Sequence, residues 1–219
     1  MIDHENKLIF IHIPKNGGTS LQDYFLKLKG LKKEDASILG IYKNKRGSVL
    51  PRANNHMTIN MVEKYIFGGN IPDEYKVFSI IRNPYERFLS EFNYRRFPGK
   101  RFRILKYKLG IKPNFETFCY LAKNKPFKRL FRDFYDHLQP QSQFLRDSVK
   151  PIKIIRFENM NSELKNFFSE NNLKFESLPH LNKSEQVELG HDRNRLLVKT
   201  VNDLYAEDFE KLGYELRNI

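Results

Sequence analysis

A chain that runs an apolar strand into a glycine-rich turn and then into an amphipathic helix has few ways to fold. Residues 7–28, KLIFIHIPKNGGTSLQDYFLKL, do this in one stretch. Leu8-Ile9-Phe10-Ile11 is a short continuous apolar run, the pattern of a buried strand. The turn Pro14-Lys15-Asn16-Gly17-Gly18 follows, then Thr19 and Ser20. Leu21, Tyr24, Phe25 and Leu28 fall at i, i+3, i+4 and i+7, one face of a helix. Glycines let backbone N–H groups approach an anion, and a helix start adds unsatisfied donors and the positive end of its dipole. Lys15 supplies a full charge. The stretch reads as a phosphate cradle. The plainer alternative is an ordinary strand-to-helix turn, with Gly for positive φ and Ser/Thr as the N-cap.

The order is not that of a Walker A loop, which places its Lys after the last glycine and directly before Ser/Thr. Here Lys15 precedes Gly17 and Gly18. A second strand-to-helix junction lies downstream. Val77-Phe78-Ser79-Ile80-Ile81 is a buried-strand pattern that runs into Arg82-Asn83-Pro84. Pro84 suits a first helical turn, and Tyr85, Phe88, Leu89 and Phe92 make the buried face. Arg82 sits at the strand's end, and Ser90 lies eight residues on, about two helical turns away. Arg offers a planar fork to phosphate oxygens and Ser a hydroxyl donor. Arg87 has several readings: a pair with Glu86 or Glu91, a cofactor contact, or a solvated charge.

Between these junctions, His56 stands at or near the first turn of a short helix reaching Tyr65. A helix N-terminus keeps a histidine neutral and able to accept a proton, although a histidine there is also an ordinary surface or capping residue. Asn114 is a candidate cap for a helix with Phe115, Phe118 and Leu121 inward, and Cys119 within it reads as buried filler. Residues 151–159, PIKIIRFEN, read as a third strand leaving into a loop. Residues 196–214 are amphipathic, with Tyr205, Phe209 and Tyr214 as core. Two basic stretches, Arg95–Lys108 and Lys123–Arg132, read as a weak acceptor-facing surface or as solvated helix faces.

Taken together, P-K-N-G-G-T-S and the strand-Arg82-Asn83-Pro84-x-x-Arg87-x-x-Ser90 pattern resemble the two cofactor motifs of sulfotransferases that use 3′-phosphoadenosine 5′-phosphosulfate (PAPS). His137-Leu138-Gln139-Pro140-Gln141, Leu178-Pro179-His180-Leu181-Asn182-Lys183-Ser184 and the closing Tyr205…Gly213-Tyr214 are similar to further segments of the carbohydrate branch, the type that includes heparan sulfate 2-O-sulfotransferase. The resemblance spans Leu8 to Tyr214. It implies an α/β fold, a P-loop-NTPase-like three-layer sandwich with a central parallel sheet, as one domain over residues 1–219. It implies PAPS as donor, adenosine 3′,5′-bisphosphate as product and no metal. Lys15, Asn16, Gly17, Gly18, Thr19 and Ser20 would hold the 5′-phosphosulfate, and Arg82 and Ser90 the 3′-phosphate. Lys183 and Ser184 would add cofactor contacts, and His137 and Gln141 substrate contacts. His56 would be the general base, with His137 next in line, while His12 is placed inside the first strand.

Composition bears on partners and compartment. A formal charge of +13 favours an anionic partner, whether a nucleotide, a sulfated or uronic glycan, nucleic acid or an acidic membrane face; the resemblance implies a carbohydrate acceptor such as an anionic glycan, and no nucleic acid. The sequence shows no run able to span a membrane and no secretory leader, which points to a cytoplasmic, bacterial-type protein; peripheral membrane contact stays open, as does oligomeric state. One cysteine excludes internal disulfides and multi-cysteine metal sites. Three rivals remain: a P-loop-like kinase, which requires a Walker A lysine, a non-catalytic basic module that binds nucleic acid or glycan, and a degenerate sulfotransferase fold that binds nucleotide or glycan without turnover.

Overall fold

The computed structural model describes residues 1–45, 48–51, 53–96, 114–125, 132–178 and 189–218. Its strands are β1 (Ile2–Asp3), β2 (Leu8–Ile11), β3 (Lys76–Ile81) and β4 (Ile152–Arg156). Its helices are α1 (Gly18–Leu28), α2 (Ile59–Ile66), α3 (Pro84–Arg96), α4 (Phe115–Asn124), α5 (Arg132–His137), α6 (Gln141–Leu145), α7 (Met160–Glu170) and α8 (His191–Leu212). Contacts divide the chain into two compact units, Met1–Arg82 with Gln141–Leu181 and Asn83–Pro140 with Asn182–Ile219.

The first unit is built on a four-stranded sheet in the order β1-β2-β3-β4. The β2–β3 and β3–β4 pairs are parallel, and β1 is an antiparallel edge. Phe10 stands opposite Phe78, their rings 5.1 Å apart, and the Phe167 ring of α7 lies 4.9 Å from Phe78. Leu8, Phe10, Phe78, Ile80 and Ile155 thus share one core with Leu21 and Phe25 of α1 and Leu164 and Phe168 of α7. Ile9, Ile11, Val77 and Ile81 point to the opposite face and are also buried. Strands covered on both faces are what a helix-flanked parallel sheet demands. This is the P-loop-like α/β architecture expected from the sequence.

Three strands match the apolar runs, and β1 is additional. The segment MIDHENK is too polar to announce a strand. Its strand forms because Ile2 pairs with Ile9 and Asp3 with Leu8 across a tight turn. The Asp3 carboxylate makes that turn by accepting from the Glu5 and Asn6 main-chain N–H groups at 3.2 and 3.3 Å.

The second unit is helical among its described residues. Phe88 and Phe92 of α3, Phe115 and Phe118 of α4, Phe134 of α5 and Tyr205 and Phe209 of α8 form its core. Asn114 caps α4, its side chain accepting from Thr117 N–H at 2.8 Å. Helix α8 kinks at Tyr205 (φ −124°, ψ 27°) and stops at Gly213, whose φ of +65° favours glycine. Tyr205 and Phe209 are buried, whereas Tyr214 is only half-buried against the cluster. Arg87 is 2% exposed and donates to the His137 and Gln139 carbonyls at 2.7 and 2.9 Å, which gives it a structural task in place of the solvated one. No helix among the described residues is long and apolar enough to cross a membrane.

Candidate active site

The turn between β2 and α1 has an unusual backbone. Lys15 and Gly17 have φ of +71° and +80°, while Asn16 between them is not among the positive-φ residues. Alternating signs of φ aim successive N–H groups into one concavity, the nest that binds anions. Glycine enters the left-handed region freely; Lys15 carries a Cβ and does so at a cost of about 1 kcal/mol. The N-cap of α1 is Gly17, with no side-chain cap, so neither Thr19 nor Ser20 fills that role. The Ser20 N–H donates to the Gly17 carbonyl at 3.0 Å, which leaves the Gly18 and Thr19 N–H groups to a ligand or solvent. Thr19 is exposed at the helix start and Ser20 is buried.

Gly18 is required for a different reason. A Cβ there would stand 2.2 Å from both Cδ2 and Nε2 of His12. His12, expected inside the first strand, follows β2 instead and turns its ring beneath the start of α1, where it is 4% exposed. Gln22 Nε2 and Asn55 Nδ2 face its Nδ1 at 3.0 and 2.8 Å. With both amides donating, Nδ1 carries the lone pair and the ring proton lies on Nε2.

His56 does not open α2. Thr58 caps that helix, its hydroxyl accepting from Met61 N–H at 3.3 Å, and His56 ends a separate 3₁₀ turn, Asn54–His56. The sequence argument from the α2 dipole therefore gives way to a direct contact. The turn is anchored by Asn54, which is 2% exposed, donates from its main-chain N–H to the Tyr42 carbonyl at 2.9 Å and from Nδ2 to the Gly40 carbonyl at 3.1 Å. This anchor sets His56 Nδ1 3.1 Å from the His12 carbonyl, with the two rings 4.6 Å apart. A carbonyl only accepts, so Nδ1 carries the proton and Nε2 is the basic nitrogen of the neutral ring.

Arg82 follows β3 and lies beside the turn. Its Nη1 donates to the Lys15 carbonyl at 3.2 Å, and its guanidinium stacks 4.3 Å over the Phe157 ring. Phe157 is also the nearest neighbour that a Cβ on Gly17 would meet, at 3.1 Å. Gln141, expected to touch substrate, is fully buried and bonds the Arg82 main chain and the Asn16 side chain. Asn16 is likewise fully buried, and its side chain donates into the fold, to the Ile80 carbonyl and Gln141 Oε1.

The first unit thus brings together Lys15, Asn16, Gly17, Gly18, Thr19, Ser20, Arg82, His56 and Gln141, and adds His12 and Phe157. His12 was readable as the residue two before Pro14 in the turn, and Phe157 lies where the third strand pattern leaves into its loop. In the second unit, Ser90 is half-buried on α3, and His137 Nδ1 lies 3.1 Å from Glu91 Oε2, a carboxylate that also pairs with Arg95. Lys183 and Ser184 lie outside the described residues, as does most of the first basic stretch. Among the described residues no group of His, Cys, Asp and Glu is placed to hold a metal ion.

A nest, an uncapped helix start, a lysine and an arginine make a site for a multiply charged anion, and His56 stands against His12 in the same unit. These features fit a nucleotide phosphosulfate. In comparisons with known proteins, a profile described as the sulfotransferase family matches residues 1–215. No curated protein and no solved structure matches the chain.

Proposed function

Since the chain belongs to the sulfotransferase family, we propose that it moves a sulfuryl group from PAPS to a hydroxyl of an anionic carbohydrate, as the heparan sulfate 2-O-type enzymes it resembles do. The observation that carries this reading is the left-handed pair Lys15 and Gly17 before an uncapped α1. Strain of this kind persists where the surrounding structure enforces it, and here it serves an anion cradle.

The main-chain N–H groups of Gly17, Gly18 and Thr19, with the Thr19 and Ser20 hydroxyls, are assigned to the 5′-phosphate. Lys15 neutralises the charge that develops on the leaving phosphate oxygen. Arg82 takes the 3′-phosphate, and its sequence position assigns Ser90 to the same group. PAPS, when bound, supplies an activated sulfuryl group whose bond to the phosphate oxygen breaks as a sulfur–oxygen bond to the acceptor forms. His56 Nε2 takes the acceptor's hydroxyl proton, while the His12 carbonyl holds the ring in the tautomer that leaves Nε2 basic. The charge of +13 supports an anionic acceptor, and the similarity of the His137–Gln141 segment to the carbohydrate branch supports a glycan.

The test is to incubate the protein with PAPS and a panel of uronate-containing and neutral glycans without metal, and to follow sulfated product by mass spectrometry. Product on an anionic glycan, lost in Lys15→Ala and His56→Ala, is expected. Turnover that requires ATP and Mg²⁺ instead would point to a kinase.

A further inference from the structure

We propose that Gln141 and Asn16 form a buried clasp that sets the spacing between Lys15 and Arg82, and thereby the selectivity of the donor site for a nucleotide with both a 5′- and a 3′-phosphate. The proposal rests on the PAPS reading and assigns a role to residues outside the ligand surface.

Gln141 opens α6 and has no exposed surface. Its Oε1 accepts from the Arg82 main-chain N–H at 2.9 Å, and its Nε2 donates to the Arg82 carbonyl at 2.8 Å. One side-chain amide therefore pairs with both main-chain groups of Arg82, as a neighbouring strand would, just past the last residue of β3. The same Oε1 accepts from Asn16 Nδ2 at 2.7 Å, and Asn16 Nδ2 also donates to the Ile80 carbonyl at 2.7 Å. Residue 16 of the turn is thus stitched to residues 80 and 82. The Arg82 side chain closes the circuit on the Lys15 carbonyl at 3.2 Å.

Lys15 and Arg82 are the two cations assigned to opposite phosphates of the donor. They are 67 residues apart in sequence, and the clasp ties their main chains together beside the direct bond from Arg82 Nη1 to the Lys15 carbonyl. Both side chains of the clasp are 0% exposed, so neither acts by touching ligand. Removing the Gln141 amide leaves the half-buried Arg82 N–H and carbonyl without that partner, which frees the strand end to shift. A shift of Arg82 relative to the nest weakens a ligand that must reach both more than one that needs the nest alone.

The experiment compares calorimetric binding of adenosine 3′,5′-bisphosphate and ADP to the wild-type chain, Gln141→Met, Arg82→Ala and the double variant. Met keeps the shape of Gln and none of its hydrogen bonds. The expected result is a preference for the bisphosphate in the wild type that falls about tenfold or more in Gln141→Met, with little further change when Gln141→Met is added to Arg82→Ala. A folded Gln141→Met with the wild-type preference overturns the clasp, as does an equal loss for both nucleotides in both backgrounds. If Gln141→Met does not fold, Asn16→Ala, which removes only the Nδ2 bonds, is held to the same criterion. A wild type without preference for the bisphosphate fails earlier, at the donor reading, and takes the proposal with it.

Discussion

The ring of His12 fills the space that a side chain at position 18 would need, since a Cβ on Gly18 would stand 2.2 Å from its Nε2. The ring cannot easily yield, because Gln22 and Asn55 hold its Nδ1 and Phe10 stacks on it at 5.5 Å. Gly18→Ala is therefore expected to cost about 1–3 kcal/mol in denaturant unfolding. Most of that cost should vanish when the substitution is made in a His12→Ala chain, a coupling that a double-mutant cycle measures. Additive losses would mean that the two residues do not meet in solution.

His56→Ala should reduce transfer by about 10²–10⁴-fold, the usual contribution of a positioned base, and leave nucleotide affinity unchanged. Single-turnover rates and calorimetry on the same preparation separate the two effects. Normal turnover would move the base role elsewhere, first to His137, whose Nδ1 faces the Glu91 carboxylate.

Lys15 offers a stability test independent of activity. Its φ of +71° suits glycine better than any residue with a Cβ. Lys15→Gly should be more stable than Lys15→Ala by about 1 kcal/mol, although both lose the charge and with it nucleotide affinity. Equal stability of the two variants would contradict a left-handed residue at position 15.

The fold was legible where its signals are local. Leu8–Ile11, the Gly17-Gly18 turn, the Val77–Ile81 strand and the Pro84 helix start each lie within a few residues of chain and carry their own pattern. Strand β1 was not, because its pairing with β2 overrides a polar local sequence. At the site, the strand–turn–helix frame could be read and its mechanics could not. The left-handed Lys15 contradicts the preference of lysine, so no propensity announces it. His56 was placed on the α2 dipole because nothing nearby in sequence points to the His12 carbonyl, 44 residues earlier. Gln141 was taken for a substrate contact from the resemblance of its segment, and its partners, 59 and 125 residues away, left no local sign of the buried role.

Cys119 sits 1% exposed in the helical core, and burial pushes its thiol up to about 12 from an ordinary 9.0. The native thiol should resist alkylation at neutral pH and react only on unfolding. The sign of its pH effect follows. Below pH 9 both states are protonated and the group contributes nothing to the slope. Above it the unfolded chain ionises while the folded one does not, so stability falls by up to about 1.4 kcal/mol per pH unit. Cys119→Ala should show a shallower decline between pH 9 and 12 than the wild type in equilibrium unfolding.

Calorimetric titration of the wild-type chain with adenosine 3′,5′-bisphosphate, ADP and AMP, without metal, tests the central claim most directly. A donor site built from the Lys15–Ser20 nest and Arg82 predicts strong preference for the 3′,5′-bisphosphate, and its collapse in Arg82→Ala. Equal affinity for all three nucleotides, or none, would break the link between Arg82 and a 3′-phosphate and contradict the account.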